Sequence, residues 1–289
     1  MIADFLSSWS LFRDSYLAGW LIAVVLPLLG VLVVARDQIF VGAAVSQASV
    51  LGIACALRFV SALGLATLGW LDPDAFVSAI AGMAAIAAAL FTARGGRRSG
   101  DSHESVTGFV FLVGSSGAVL VMAHSPHGME EIHRLVASTI IGATTTDVAV
   151  FVLLTAVTVM VVRQRASELL LLVMDAEMAE SVGMRVDRWN TVLAIWLGLV
   201  VGLSNRVAGA IFTFGCLVLP ALTARNACRE VRTMFLVAPM VGLATAVVAF
   251  VLAHGLDYPP GQTAAFLQCL CLVAAWGLRG LRRTVRRRS

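Results

Sequence analysis

Apolar residues in this chain run in long, nearly uncharged blocks separated by short polar islands, in place of the alternation that marks a half-buried strand or a one-sided helix. A helix that crosses a bilayer needs about 20 mainly apolar residues, with about 17 as the lower bound. On that rule the blocks are Tyr16–Ala35, Val41–Leu57, Ala75–Ala93, Thr107–Ala123, Asp147–Val162, Trp189–Leu203, Val207–Thr223, Phe235–Ala253 and Thr263–Leu278. Several are short enough for one to be re-entrant or to merge with a neighbour. The pattern therefore predicts an all-α, polytopic membrane protein with eight or nine transmembrane helices, and residues 1–289 as a single transmembrane domain.

The islands orient the spans. Arg36, Arg94 with Arg97 and Arg98, the stretch Arg163–Arg188, the stretch Arg225–Arg232 and the tail 279–289 fall on one side. The loops at 71–74, 124–127 and 254–262 fall on the other and are poorer in bases. Short cytoplasmic loops carry the excess of basic residues, so the expectation is an outer N-terminus and a cytoplasmic C-terminus in a bacterial inner membrane. The longest cytoplasmic stretch, Arg163–Arg188, is too small for an enzyme domain and large enough to dock a partner. Asp4 precedes any base and the first strongly apolar run begins only after Arg13 and Asp14. That start does not read as a cleavable signal peptide, and the run is expected to be a permanent helix.

Composition agrees with the blocks. The chain has 289 residues, 59% hydrophobic and 13% charged, with a mean hydropathy of +0.91, whereas soluble domains are about 25% charged. All 21 basic residues are arginine. A Walker A phosphate loop needs a lysine to reach the β and γ phosphates, so ATP chemistry by that route is excluded from this chain. The arginines at 279, 282, 283 and 286–288 read as a cytoplasmic anchor against lipid and not as a nucleic-acid patch, because they follow directly on an apolar span. Of the five cysteines, Cys55, Cys216, Cys228, Cys269 and Cys271, four lie in apolar tracts and none has zinc-site spacing. No disulfide framework is expected.

Ion-coupled carriers place ionisable side chains inside the membrane, facing a cavity. Here Asp147 stands at a span end, and Asn205 with Arg206 reads as a short break between two spans. No proton relay can be assembled from that set, so the driving energy is expected from an external ATPase. The catalytic signatures of an intramembrane enzyme are also missing. Gly114-Ser115-Ser116-Gly117 is not a nucleophile elbow and reads as small residues that let helices pack closely.

The second span carries small and polar side chains, among them Gly42, Ala43, Ser46, Gln47, Ser49 and Gly52. Two readings stay open: helix packing glued by polar groups, and a pathway lining in which Gln47 is the strongest ligand because its amide both donates and accepts. Between the fifth and sixth spans, Met174 to Val186 reads as a short helix with Asp175 at its N-cap, acids in its first turns and an end at Gly183. Anionic lipid would repel it, which argues against its lying on the membrane surface.

Three segments together resemble one family. The spacing Asp175-x-Glu177-x-Ala179-x-x-x-Gly183, the run from Gly209 through Pro220 to Arg225, and the gapless second-span stretch from Phe40 to Gly52 are similar to the permease subunit of the ABC importers that take up zinc, manganese or iron. The resemblance implies the metal-importer permease fold. It also implies that Asp175, Glu177, Ala179, Glu180 and Gly183 lie in a coupling helix, about 174–184, that docks on a separate ATPase. It implies two identical permease copies, two ATPase subunits that bind ATP and Mg, an extracytoplasmic binding protein that hands over the cargo, and no nucleic acid. No cofactor is expected in this chain.

The family pattern has an aspartate and a histidine in the second span where this chain has Ala43 and Gln47. Zinc and manganese favour imidazole and carboxylate ligands, so the translocation face expected here, Ala43, Ser46, Gln47 and Ser49, is weak for a bare ion. Three explanations remain: a weak pathway behind a selective binding protein, a metal chelate of the siderophore or cobalamin kind, or a cargo that is not a metal. An outer-loop set of His124, His127, Glu130, Glu131 and His133 is a candidate receiving vestibule for metal, although a solvated loop broken by Pro126 and Gly128 is the plainer reading. His103 and His254 read as lone loop histidines. The rivals from other classes are a secondary carrier driven by an ion gradient and a membrane scaffold that transports nothing.

Overall fold

The computed structural model describes residues 9–63, 73–98, 102–123, 140 and 142–288. Among them the regular elements are helices: α1 (Trp9–Ala35), α2 (Ile39–Leu63), α3 (Pro73–Arg98), α4 (His103–Ala123), α5 (Thr145–Gln164), α6 (Ala166–Met174), α7 (Ala176–Ser181), α8 (Val186–Ala208), α9 (Ala210–Ala227), α10 (Val231–Leu256) and α11 (Pro260–Arg288). All but α6 and α7 contain a stretch long and apolar enough to span a membrane, which makes nine candidate spans among the described residues. Eight of the nine apolar blocks fall within one of these helices; the block Val207–Thr223 begins on the last two residues of α8 and continues, past Gly209, as α9.

The helices outrun the blocks at their ends. In a bilayer every backbone N–H and C=O must be satisfied internally, so a span continues through polar residues to the interface. Two expectations change as a result. His103 opens α4, with its carbonyl accepting from Thr107 Oγ1 at 2.7 Å, and is not a loop residue. Asn205 and Arg206 lie inside the last turns of α8, not in a break. The break is one residue, Gly209, at φ +76, a left-handed conformation that glycine adopts without a Cβ penalty.

The chain divides into two compact units. The first takes in Met1–Asp37, Thr139–Ala176 and Gly215–Ser289. Within it α1 is flanked by α5, α6 and α10, and α10 packs on α11. Lipid tails are as apolar as leucine, so membrane helices associate by close packing of small residues. Gly30 of α1 abuts the Leu217 carbonyl of α9, and Gly242 of α10 abuts the Ala23 carbonyl of α1. Ala23 is the residue whose carbonyl Pro27, lacking an N–H, cannot engage four residues on, so the glycine packs where the helical ladder is interrupted. The ends of α1 and α9 are clasped by Arg225, whose Nη1 donates to the Val34 carbonyl at 3.0 Å and to Asp37 Oδ1 at 2.5 Å. Arg279 Nη1 donates to Asn226 Oδ1 at 2.7 Å and holds α11 to the same end of α9.

The second unit takes in Gln38–Ser138 and Glu177–Phe214. Here α3 packs against α8 and α2, and α2 also packs against α4 and α8. An ideal Cβ on Gly202 would stand 2.7 Å from the Gly82 Cα, and one on Gly198 2.6 Å from the Ile86 Cα. Helices α3 and α8 therefore touch backbone to backbone. The Gly-Ser-Ser-Gly stretch of α4 does what its small residues promised. Gly114 faces the backbone at Gln47 and Ala48, with a Cβ site 2.7 Å from the Ala48 nitrogen, and Gly117 faces Leu51.

Candidate functional site

The polar residues of α2 arise from a helix whose other buried positions are small or apolar. Of the translocation candidates, Ala43, Ser46 and Ser49 are buried and Gln47 is half-buried. Ser46 and Asn205, 1% and 2% exposed, lock together. Ser46 Oγ donates to Asn205 Oδ1 at 3.1 Å, and Asn205 Nδ2 donates to the Ser46 carbonyl at 2.8 Å. A buried amide costs free energy unless it is hydrogen-bonded, and this pairing satisfies both its donor and its acceptor side. One turn along α2, Ser49 Oγ donates to the Gly202 carbonyl at 3.4 Å. The two contacts fasten α2 to α8.

Gln47 is different: its side chain makes no hydrogen bond with the described residues, although its backbone is gripped by Gly114. The residue after Asn205 on α8 is charged. Arg206, its side chain 19% exposed, stands 3.7 Å from Asp74, whose carboxylate is 77% exposed. Ser204, next to Asn205, is fully buried, and its hydroxyl has no hydrogen-bond partner among the described residues; the same holds for the Thr213 hydroxyl on α9. The sequence reading set Asn205 in a break between spans and did not single out Ser204, because the apolar block was cut short at Leu203. An asparagine inside a span, with an intramembrane partner to satisfy it, was the available signal.

The second feature lies around α7. Asp175, at φ −153, ends α6 and leads into α7, so the expected N-cap residue also closes the preceding helix. A six-residue helix is too short to hold on propensity alone, and its C-terminus supplies the fastening. The Met184 N–H donates to the Ala179 carbonyl at 3.0 Å and the Gly183 N–H to the Glu180 carbonyl at 2.9 Å, with Gly183 at φ +89. This is the paired-bond Schellman ending, and it explains the glycine. Ala179 is fully buried, while Glu177, Glu180, Met178 and Val182 are exposed. The result is a short, rigidly terminated helix offering acids beside apolar side chains.

His124, His127, Glu130, Glu131 and His133 lie outside the described residues. Among the described residues no group of three or more His, Cys, Asp or Glu side chains could hold a metal ion. His254 is not a lone loop residue: it sits in the last turn of α10, its Nδ1 3.5 Å from Tyr16 Oη and its ring edge-on to Phe12.

Nine candidate spans among the described residues, with a short, capped helix between the fifth and sixth, make this a multi-pass membrane protein. The family model of the ABC 3 transport family matches residues 8–278, and the chain belongs to that family, as a permease of the metal-uptake ABC type. A protein of Thermotoga maritima named as a metal transport system membrane protein is 23% identical over 256 residues, covering 89% of this chain and 86% of the relative. The manganese import system permease protein ScaB of Streptococcus gordonii is 24% identical over 121 residues, 42% of this chain and 44% of that protein. Among solved structures, PsaBC from Streptococcus pneumoniae in complex with Fab has a TM-score of 0.78 at 18% identity, covering 96% of this chain and 95% of that one. An inward-facing transporter described as metal-chelate type has a TM-score of 0.72 at 14% identity over 93% of this chain and 85% of that one. At such identities the structures speak for the fold.

Proposed function

We propose that this chain is the membrane-spanning subunit of an ATP-driven importer in the bacterial inner membrane, translocating a divalent metal, zinc, manganese or iron. An extracytoplasmic binding protein hands the metal over, two copies of the chain work together, and two separate ATPase subunits bind ATP with Mg. The observation that carries this reading is α7: a capped helix with exposed Glu177, Glu180, Met178 and Val182 in the stretch the arginine pattern assigns to the cytoplasm. Asp175, Glu177, Ala179, Glu180 and Gly183 form the docking element, Ala179 being the packed side and the acids the side offered to the ATPase.

The chain's part in the work cycle is mechanical. ATP-driven closure of the two ATPases displaces α7, and its short cap lets little of that push be lost in local unwinding. The cargo passes the α2 face of Ala43, Ser46, Gln47 and Ser49. The named relatives support the metal assignment, one called a metal transport system membrane protein and the other a manganese import permease.

The test is uptake of radioactive zinc, manganese and iron in cells lacking other importers, with and without this gene and with Glu177→Arg. Uptake of at least one metal is expected to need the chain and to fall about tenfold or more in the variant. Transport that persists without any ATPase would replace this reading with that of a secondary carrier.

A further inference from the structure

At the end of the first unit that the arginine pattern assigns to the exterior, three helix ends are tied together. Thr145 Oγ1, at the start of α5, donates to Asp14 Oδ2 of α1 at 2.7 Å. His254, in the last turn of α10, has its Nδ1 3.5 Å from Tyr16 Oη and its ring edge-on to Phe12. On this base Leu256 ends α10, and Asp257, Tyr258 and Pro259 lead into α11, all four residues exposed. The turn is fastened from both sides. The Tyr258 N–H donates to the Ala253 carbonyl at 3.0 Å, the six-to-one bond of a Schellman ending. Thr263 donates to the Pro259 carbonyl through its N–H at 3.2 Å and its hydroxyl at 2.9 Å. Pro260 then opens α11 with its φ already fixed.

The side chains on this turn serve nothing within the described chain. A helix ending of this kind favours glycine, because one residue takes a positive φ. Asp257 occupies it at φ +56. The other described non-glycine residue at positive φ, Asp37, has an internal use for its carboxylate, which accepts from Arg225. The Asp257 carboxylate meets no partner among the described residues. Beside it Leu256 is 51% exposed and Tyr258 59%, so apolar surface is left without cover. A tyrosine held on a preorganised backbone is a strong anchor for a protein partner, since little freedom remains to be lost on binding. Lipid is the rival cover, and tyrosine suits headgroups. Membrane surfaces attract bases and repel acids, however, and here the acid stands between the two apolar groups.

We propose that Leu256, Asp257 and Tyr258 form a contact that seats the extracytoplasmic binding protein on the first unit, an inference that rests on the importer reading. The partner surface that fits offers a basic side chain to Asp257 beside an apolar recess for Tyr258. Charge pairing of this kind speeds encounter and fixes register. The tied ends of α1, α5 and α10 give the docked protein a footing that does not yield.

The experiment expresses the full transporter in cells with photoreactive benzoylphenylalanine in place of Tyr258, and identifies the adducts by mass spectrometry. The protein found is purified, loaded in turn with zinc, manganese and iron, and titrated onto the transporter in nanodiscs. The expected adduct is an extracytoplasmic metal-binding protein. Its affinity should fall about tenfold or more with Asp257→Asn and with Tyr258→Ala, and Asp257→Asn should also flatten the dependence on salt. Asp257→Gly should weaken binding equally with melting unchanged or higher, because glycine removes the backbone cost together with the charge. Adducts with lipid alone, no adduct with an extracytoplasmic protein, or an affinity that none of these variants changes overturns the inference. Uptake judges the importer reading separately. If metal uptake still needs the chain and its ATPase, only the docking assignment falls; if it needs neither, the importer reading falls.

Discussion

Replacing Gly202 by alanine tests whether α3 and α8 are held by direct backbone contact. The added Cβ would lie 2.7 Å from the Gly82 Cα and 3.0 Å from the Ala81 carbonyl oxygen, whereas carbon atoms settle at about 3.5–4.0 Å. Both obstacles are backbone, so neither can rotate away, and the helices must part by about 1 Å at that point. Gly198 contacts Ile86 in the same way four residues earlier, so the separation would unzip the seam as a whole. Overpacking of this kind costs about 1–3 kcal/mol. Gly82 supplies the control: its own Cβ would meet only Leu199 Cδ1, at 4.0 Å, an ordinary contact. Thermal unfolding of the purified protein in one detergent should therefore show Gly202→Ala clearly less stable than wild type and Gly82→Ala close to it. Both variants add one methyl group to a glycine of the same helix pair. Equal melting of the two would refute the backbone-contact argument, since general loss of glycine flexibility would then be the larger effect.

Gly183→Val forces a β-branched residue to φ +89 with open space around the new side chain, a purely conformational penalty of about 1–2 kcal/mol. Co-purification of the ATPase should drop sharply, with membrane insertion intact and Gly183→Asn intermediate. A double-mutant cycle on Ser46→Ala and Asn205→Ala, read by unfolding in detergent, should give a coupling of about 0.5–2 kcal/mol; a value near zero would mean the two hydrogen bonds contribute nothing net. Burial pushes the Cys228 thiol up from its ordinary value, so less of it is thiolate at a given pH. In a variant retaining only Cys228, maleimide labelling should lag a free thiol at pH 8 and catch up as pH rises; a rate matching the free thiol at pH 8 would contradict that burial. A reporter enzyme fused after residue 289 is expected to be active only on the cytoplasmic side, and periplasmic activity would invert the assigned orientation.

The spans were legible because bilayer thickness imposes a length and lipid imposes a composition, and eight of the nine blocks lie within one helix, the block Val207–Thr223 alone crossing from the end of α8 into α9. Their ends were less so. Hydropathy falls at Ser204, Asn205 and Arg206, but the helix continues to Ala208 because backbone hydrogen bonding does not depend on side-chain polarity. That truncation set Asn205 in a break and not inside a span. No spacing rule could have paired it with Ser46, 159 residues away. The α7 segment was legible for the opposite reason: its glycine, its buried alanine and its acids all lie between positions 175 and 183, so sequence order nearly equals spatial order.

The contrast between α7 and α2 separates two demands. On the proposed reading a docking helix answers to the shape and charge of an ATPase whatever the cargo, and Glu177, Ala179 and Gly183 meet that demand, with Ala179 packed and Gly183 at the positive φ the turn requires. The α2 face, on the same reading, answers to the cargo, and there an alanine and an amide stand where the resemblance implies a carboxylate and an imidazole. The Ser46–Asn205 pair, satisfied on both its donor and its acceptor side, fastens α2 to α8 and so fixes that face whatever passes it. Uptake measured metal by metal therefore reads the cargo, and co-purification of the ATPase reads the coupling.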